Sequence, residues 1–111
     1  MIELVIQNYL DQKLSVPAYL ERPSKPPKSF VLFEKTGGSK RNHLPSATFA
    51  FQSYAKSLFE ASKLNEEVKE VMESMIELDQ ISGVQLNGDY PFTDVTTKEY
   101  RYQAVFDINH Y

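Results

Sequence analysis

His43 and His110 are the two side chains of this 111-residue chain best suited to proton transfer or metal binding near neutral pH. Neither sits in an H-x-x-x-H or H-E-x-x-H spacing. The chain has no cysteine to complete a ligand set, so the pattern does not point to zinc. A Ser–His–Asp triad is fixed by geometry rather than spacing, but no Gly-x-Ser-x-Gly elbow is present to present a serine. Gly37-Gly38-Ser39-Lys40 has the composition of a phosphate loop without its spacing. That loop needs G-x-x-x-x-G-K-S/T running into a helix, and here the segment runs into a strand-like stretch. The acids Glu77, Asp79, Asp89 and Asp94 fall around expected loops, lack the D-x-D-x-D-G order of a calcium loop, and read as turn chemistry. These patterns lead us to expect no catalytic residues, no metal and no cofactor.

Charge is more informative. Residues 35–43 hold Lys35, Lys40 and Arg41 and no acid, while the chain's net charge is -3, which leaves -6 for the remainder. A basic hairpin loop on an acidic protein is expected to meet an acidic partner, with Lys35, Lys40, Arg41 and His43 as its contact residues. A plain flexible hairpin loop is the simpler alternative. Net acidity argues against a dedicated DNA binder, whose affinity would rest on neutralising phosphates. Tyr100, Tyr102 and Phe106, with Tyr90, Phe92 and Tyr111 nearby, could form a stacking platform. Arg101 and Lys98 stand among Glu99 and Asp107, however, so core packing or a subunit interface is the better reading.

The elements that must position these residues follow from periodicity. The length fits one domain, residues 1–111, that buries about two-thirds of its unfolded surface. No apolar run approaches the roughly 20 residues of a membrane span. Residues 1–9 lack a basic start and a small-residue cleavage site, so no signal peptide is expected. Residues 1–13 have helical spacing through Ile2, Val5, Ile6, Tyr9 and Leu10. Residues 15–20 read as a short edge strand with Pro17, and 21–28 as a stiff connection with three prolines. Residues 29–35 are apolar on both faces and read as a central strand, and 46–52 as a half-buried one. From Ser53 to about Leu78 the period turns helical through Tyr54, Leu58, Ala61, Leu64, Val68, Val71 and Met75, with a possible break where Asn65 could cap. The opposite face is acidic, with six acids to three lysines between Lys56 and Glu77. Residues 81–87 form a weaker strand closed by an Asn87-Gly88-Asp89 turn, and 98–109 alternate cleanly. The expected class is α+β: a mostly antiparallel sheet of four to five strands, a long helix on one face and an N-terminal helix, in the order α-β-β-β-α-β-β.

Four blocks carry a resemblance. They are Phe30-Val31-Leu32-Phe33-Glu34-Lys35-Thr36-Gly37-Gly38-Ser39 with Asn42-His43; Ala47-Thr48-Phe49-Ala50-Phe51-Gln52-Ser53-Tyr54-Ala55; Leu86-Asn87-Gly88-Asp89-Tyr90-Pro91-Phe92-Thr93-Asp94; and Tyr100-Arg101-Tyr102-Gln103-Ala104-Val105-Phe106-Asp107. Together and in order, they resemble small prophage proteins of Gram-positive bacteria similar to the tail terminator, or tail completion, family of long-tailed phages. The resemblance implies a minor structural protein of the virion tail, made in the host cytoplasm, with no catalytic residues. It implies a homo-oligomeric ring, usually a hexamer, that caps the tail tube and docks to the head connector while DNA passes through without specific binding. Its partners would be itself, the tube protein and the connector protein, with no membrane. The loops would carry the interfaces: Lys35, Lys40, Arg41 and His43 in one, Asp89, Tyr90, Phe92 and Asp94 in the other. The alternatives are a head–tail joining (neck) protein and a small non-enzymatic binding module using the 35–43 loop.

Overall fold

The computed structural model describes residues 1–41, 44–93 and 99–111, with 39–41 and 44 described by backbone alone. The elements are α1 (Ile2–Lys13), β1 (Ala18–Tyr19), β2 (Phe30–Arg41), β3 (Leu44–Ala55), α2 (Leu58–Ser74) with a 3₁₀ turn at Met75–Glu77, β4 (Ile81–Pro91) and β5 (Tyr100–His110). They form one five-stranded sheet in the order β1-β2-β3-β5-β4. Among the described residues, only β1 and β2 run parallel. The fold is α+β in the order the periodicity implies.

Both helices cover the same face of the sheet. Alternation sends Phe33, Phe49, Phe51, Phe106 and Ile108 to that face, where all are fully buried. Phe33 stacks on Phe51 at 5.6 Å between centroids, and Phe51 meets Phe106 edge-on at 5.9 Å. Ile6, Tyr9 and Leu10 of α1 join this core with Leu64, Val68 and Met72 of α2. Burying each such side chain contributes about 1.5–3 kcal/mol.

Several boundaries differ from the expectations, each for a local reason. β3 runs on through Ala55, so Tyr54 is a strand residue on the opposite face, stacked on Phe30 at 4.6 Å. The helix begins only at Leu58, because the Ser57 side chain accepts a hydrogen bond from the Glu60 amide at 3.1 Å. Leu58 is therefore exposed and Met72 is buried in the stripe. Asn65 caps nothing; it lies inside an unbroken α2, fully buried. β3, rather than β2, is the central strand. β1 is reduced to two paired residues beside Val31 and Leu32. The Asn87-Gly88-Asp89 turn is absent: β4 continues to Pro91 and absorbs the irregularity as a bulge between Leu86 and Gly88.

Candidate interaction surface

Most of the expected basic loop is strand. Residues 35–41 belong to β2 and pair with β3 up to Arg41 opposite Leu44, with a bulge between Lys35 and Gly37. β5 reaches only as far as Asn109 opposite Ser46, so the β2–β3 pair projects past the rest of the sheet as a two-stranded ribbon. Pro45 fits there, since its missing amide points to the side where β5 has ended. Lys35 is exposed on the helix-covered face, its stem packed over Gly38. Lys40 and Arg41 stand opposite Pro45 and Leu44; His43 lies outside the described residues.

Of the second set, Asp89 and Tyr90 lie within β4 and Phe92 just beyond it, while Asp94 lies outside the described residues. Asp89 accepts a hydrogen bond from Lys69 Nζ at 3.1 Å, which joins β4 to α2. Lys69 also meets Glu66 at 2.9 Å. The Glu66 bond, partly opposed by burial and helped by Asp89, holds the Lys69 ammonium above its usual pKa. Tyr90 and Phe92 meet edge-on at 6.1 Å. The described members of the two candidate sets occupy opposite sides of the sheet and are not brought together.

The uncovered face carries a polar network the sequence did not reveal. The Gln103 amide bridges Gln52 and the Tyr90 hydroxyl, at 2.9 and 2.6 Å. Asp107 accepts from Thr48 at 2.6 Å and from Asn87 at 2.7 Å. Arg101 donates to the Phe92 carbonyl at 2.6 Å and the Tyr54 hydroxyl at 2.8 Å, with its guanidinium 4.4 Å from the centre of the Phe92 ring. Arg22 pairs with Glu99 and lies over Phe30 and Tyr54. The Glu99 hydrogen bond, partly opposed by burial, raises the Arg22 pKa further. Strand alternation puts Arg101 on this face, but its partners follow from cross-strand register, which one strand's sequence does not contain.

No protein-family model and no curated protein matches the chain.

Function must therefore be argued from surfaces. Among the described residues, no group of three or more His, Cys, Asp or Glu side chains could hold a metal ion. Among the described residues, no helix is long and apolar enough to cross a membrane. The molecule measures 43 × 25 × 24 Å, and its two long ends differ. One bears the basic ribbon. The other, where β3 and β4 finish and α2 and β5 start, exposes Leu58, Phe59, Tyr90, Phe92 and Tyr100, with Phe59 72% exposed. Acids at 60, 66, 70 and 73 line the solvent side of α2. The sheet also has two open sides. Among the described residues, β2 has no outer neighbour beyond Leu32, and β4 has none along its length. An open concavity of about 830 Å³ lies between the start of α1 and residues 35–38, beside the free part of β2.

Proposed function

We propose that this chain is a structural virion protein of the tail terminator type, which assembles into a homo-oligomeric ring, caps the tail tube and docks to the head connector. The reading starts from the four ordered sequence blocks and their resemblance to that family. The structural observation that carries it is the pair of open sheet edges on opposite sides of one subunit. Two different surfaces that each need a partner favour head-to-tail association, and such contacts close into rings when the rotation per subunit allows.

The other features fit a collar that acts by shape. The aromatic end and the basic ribbon differ in chemistry, so a ring of parallel subunits would offer unlike faces to the tube and to the connector. Tube growth would stop because only one face matches the last layer of tube subunits. The acidic side of α2 would repel DNA wherever it faces the passage. Such a protein performs no bond-making chemistry and needs no cofactor. In the family's usual form the ring is a hexamer, located in the virion tail.

The test is mass in solution, alone and with purified tail tubes. A defined oligomer, or rings seen at tube ends, is the expected result. A chain that stays monomeric and leaves tubes unbound would count against the proposal. Binding to purified connectors but not to tubes would reassign it to head–tail joining.

A further inference from the structure

The outer edge of β4 has a fixed phase. The Phe92 amide donates to the Arg101 carbonyl at 2.8 Å, so Arg101 and every second residue after it in β5 turn their backbone groups toward β4. Gln103, Val105, Asp107 and Asn109 stand opposite Tyr90, Gly88, Gln85 and Gly83. Those residues of β4 therefore face β5. Val84, Leu86, Asp89 and Pro91 turn their backbone groups to the open side, where no other described strand lies. The bulge falls between Leu86 and Asp89, so two residues separate this outward pair where one separates the others.

The bulge, the exposed Asp89 and the missing amide of Pro91 all guard this edge against an ordinary strand. Each is met by β4 itself. Two copies of β4 can lie antiparallel about a two-fold axis that passes between Asn87 and Gly88. Leu86 then stands opposite Asp89 of the second copy, Val84 opposite its Pro91, and Gln85 opposite its Tyr90. Bulge faces bulge, so no residue is left over at the junction. Asp89, already held by Lys69 at 3.1 Å, meets an apolar side chain and not a second carboxylate. Pro91 has only to offer its carbonyl to the Val84 amide. Opposed residues also share a face: Leu86 and Asp89 lie on the helix-covered side, in the rows of Phe106 and Ala104, and Gln85 and Tyr90 on the other. The half-buried Val84 and Leu86, which pack against the core, gain cover. Moving the axis to Leu86 or to Asp89 sets two residues against one at both bulges, and the second choice also opposes the two carboxylates directly.

We infer that β4 is a self-complementary edge, and that the free chain is a two-fold dimer whose sheet runs through both copies. Leu86 and Asp89 exchange amide and carbonyl bonds across the junction, and Val84 donates to Pro91 at each end of it. This goes beyond the ring. An isologous contact joins two copies and stops, so it does not propagate around a ring of parallel subunits. The dimer is the form of the chain away from the tail. It covers an edge that would otherwise recruit other strands, and it must open before β4 can serve a ring contact.

The chain has no cysteine, so introduced thiols report the contact cleanly. In a Gln85→Cys/Tyr90→Cys double variant the two positions face each other across the junction as a non-hydrogen-bonded pair. Their Cα atoms are about 4.5 Å apart, inside disulfide range. Within one chain they pair with Asp107 and Gln103 and so lie about 13 Å apart, too far to link. The same spacing keeps either single variant from linking to itself. Mild oxidation without tail tubes should therefore give a covalent dimer from the double variant and background from each single one. Asp89→Pro removes an outward amide but no backbone bond within the subunit, while Asp89→Ala loses the same carboxylate and keeps the amide. By sedimentation, the proline variant should dimerise roughly tenfold or more weakly than the alanine variant, with an unchanged circular dichroism spectrum. A parent that stays monomeric without tubes, a double variant that links no better than the single ones, or a proline variant that dimerises like the alanine one overturns the inference. Rings at tube ends alongside any of those results leave the terminator reading standing. A linked dimer that never yields rings does the reverse.

Discussion

The phenol oxygen of Tyr9 lies 2.6 Å from Ser74 Oγ and donates to a Glu77 carboxylate oxygen at 2.9 Å. α1 is thereby tied to the far end of α2 by one side chain. Burial pushes the Tyr9 pKa up; the Ser74 bond works against this and Glu77 adds to it. A folded pKa above the unfolded one means this contribution is complete below the ordinary tyrosine value of about 10 and is lost as pH rises through the folded value. Tyr9→Phe should cost about 1 kcal/mol at neutral pH. The gap between the two proteins should narrow above pH ~10 in denaturant titrations.

Arg101 joins β5 to the segment after β4 and to Tyr54 of β3 through directed bonds on two sides of one planar group. Lysine keeps the charge but not the fork. Arg101→Lys should therefore lower stability by about 1–2 kcal/mol, read as a shifted denaturation midpoint with an unchanged slope.

The periodic parts of the fold were readable in advance because burial imposes them. The alternation of Ala104, Phe106 and Ile108, and the helical spacing of Ile2, Ile6, Tyr9 and Leu10, both report one covered face. Places where a strand outlives its usual signals were not readable. Lys35-Thr36-Gly37-Gly38 and Asn87-Gly88-Asp89 have turn composition, yet both are bulged strand, because pairing to a long neighbour outweighs local preference. The Ser57-x-x-Glu60 pattern did mark the true start of α2 and could have corrected it. Of the surface candidates, the basic residues were visible as charge. The open edges were not, because which strand is outermost depends on the order β1-β2-β3-β5-β4, in which β5 separates β3 from β4.

Asn65 illustrates the same limit from the core side. Its type suggests a cap, but it is 1% exposed within α2, and its side-chain oxygen has no hydrogen-bond partner among the described residues. An unpaired buried acceptor costs about 1–3 kcal/mol, and alanine removes it without adding volume to the packed site and is the better helix former. Asn65→Ala should leave stability unchanged or raise it by about 1 kcal/mol, seen as a higher melting temperature. A loss of more than about 2 kcal/mol would mean that the oxygen has a partner, such as a buried water.

Phe106 and Phe59 separate folding from surface function. Phe106 is fully buried, edge-on to Phe51 and central to the helix-covered face. Phe106→Ala should cost about 3–5 kcal/mol, a large part of the ~5–15 kcal/mol that holds a domain of this kind together. Phe59 is 72% exposed on the first turn of α2, touched by Lys63 at 5.7 Å. Phe59→Ser should change stability by less than about 0.5 kcal/mol. If, as proposed, the aromatic end contacts a tube or connector subunit, the same substitution should weaken that binding severalfold in pull-downs with purified tubes or connectors. Equal binding by parent and variant to both would remove this end from the list of contact surfaces, since an exposed aromatic at an interface is costly to lose.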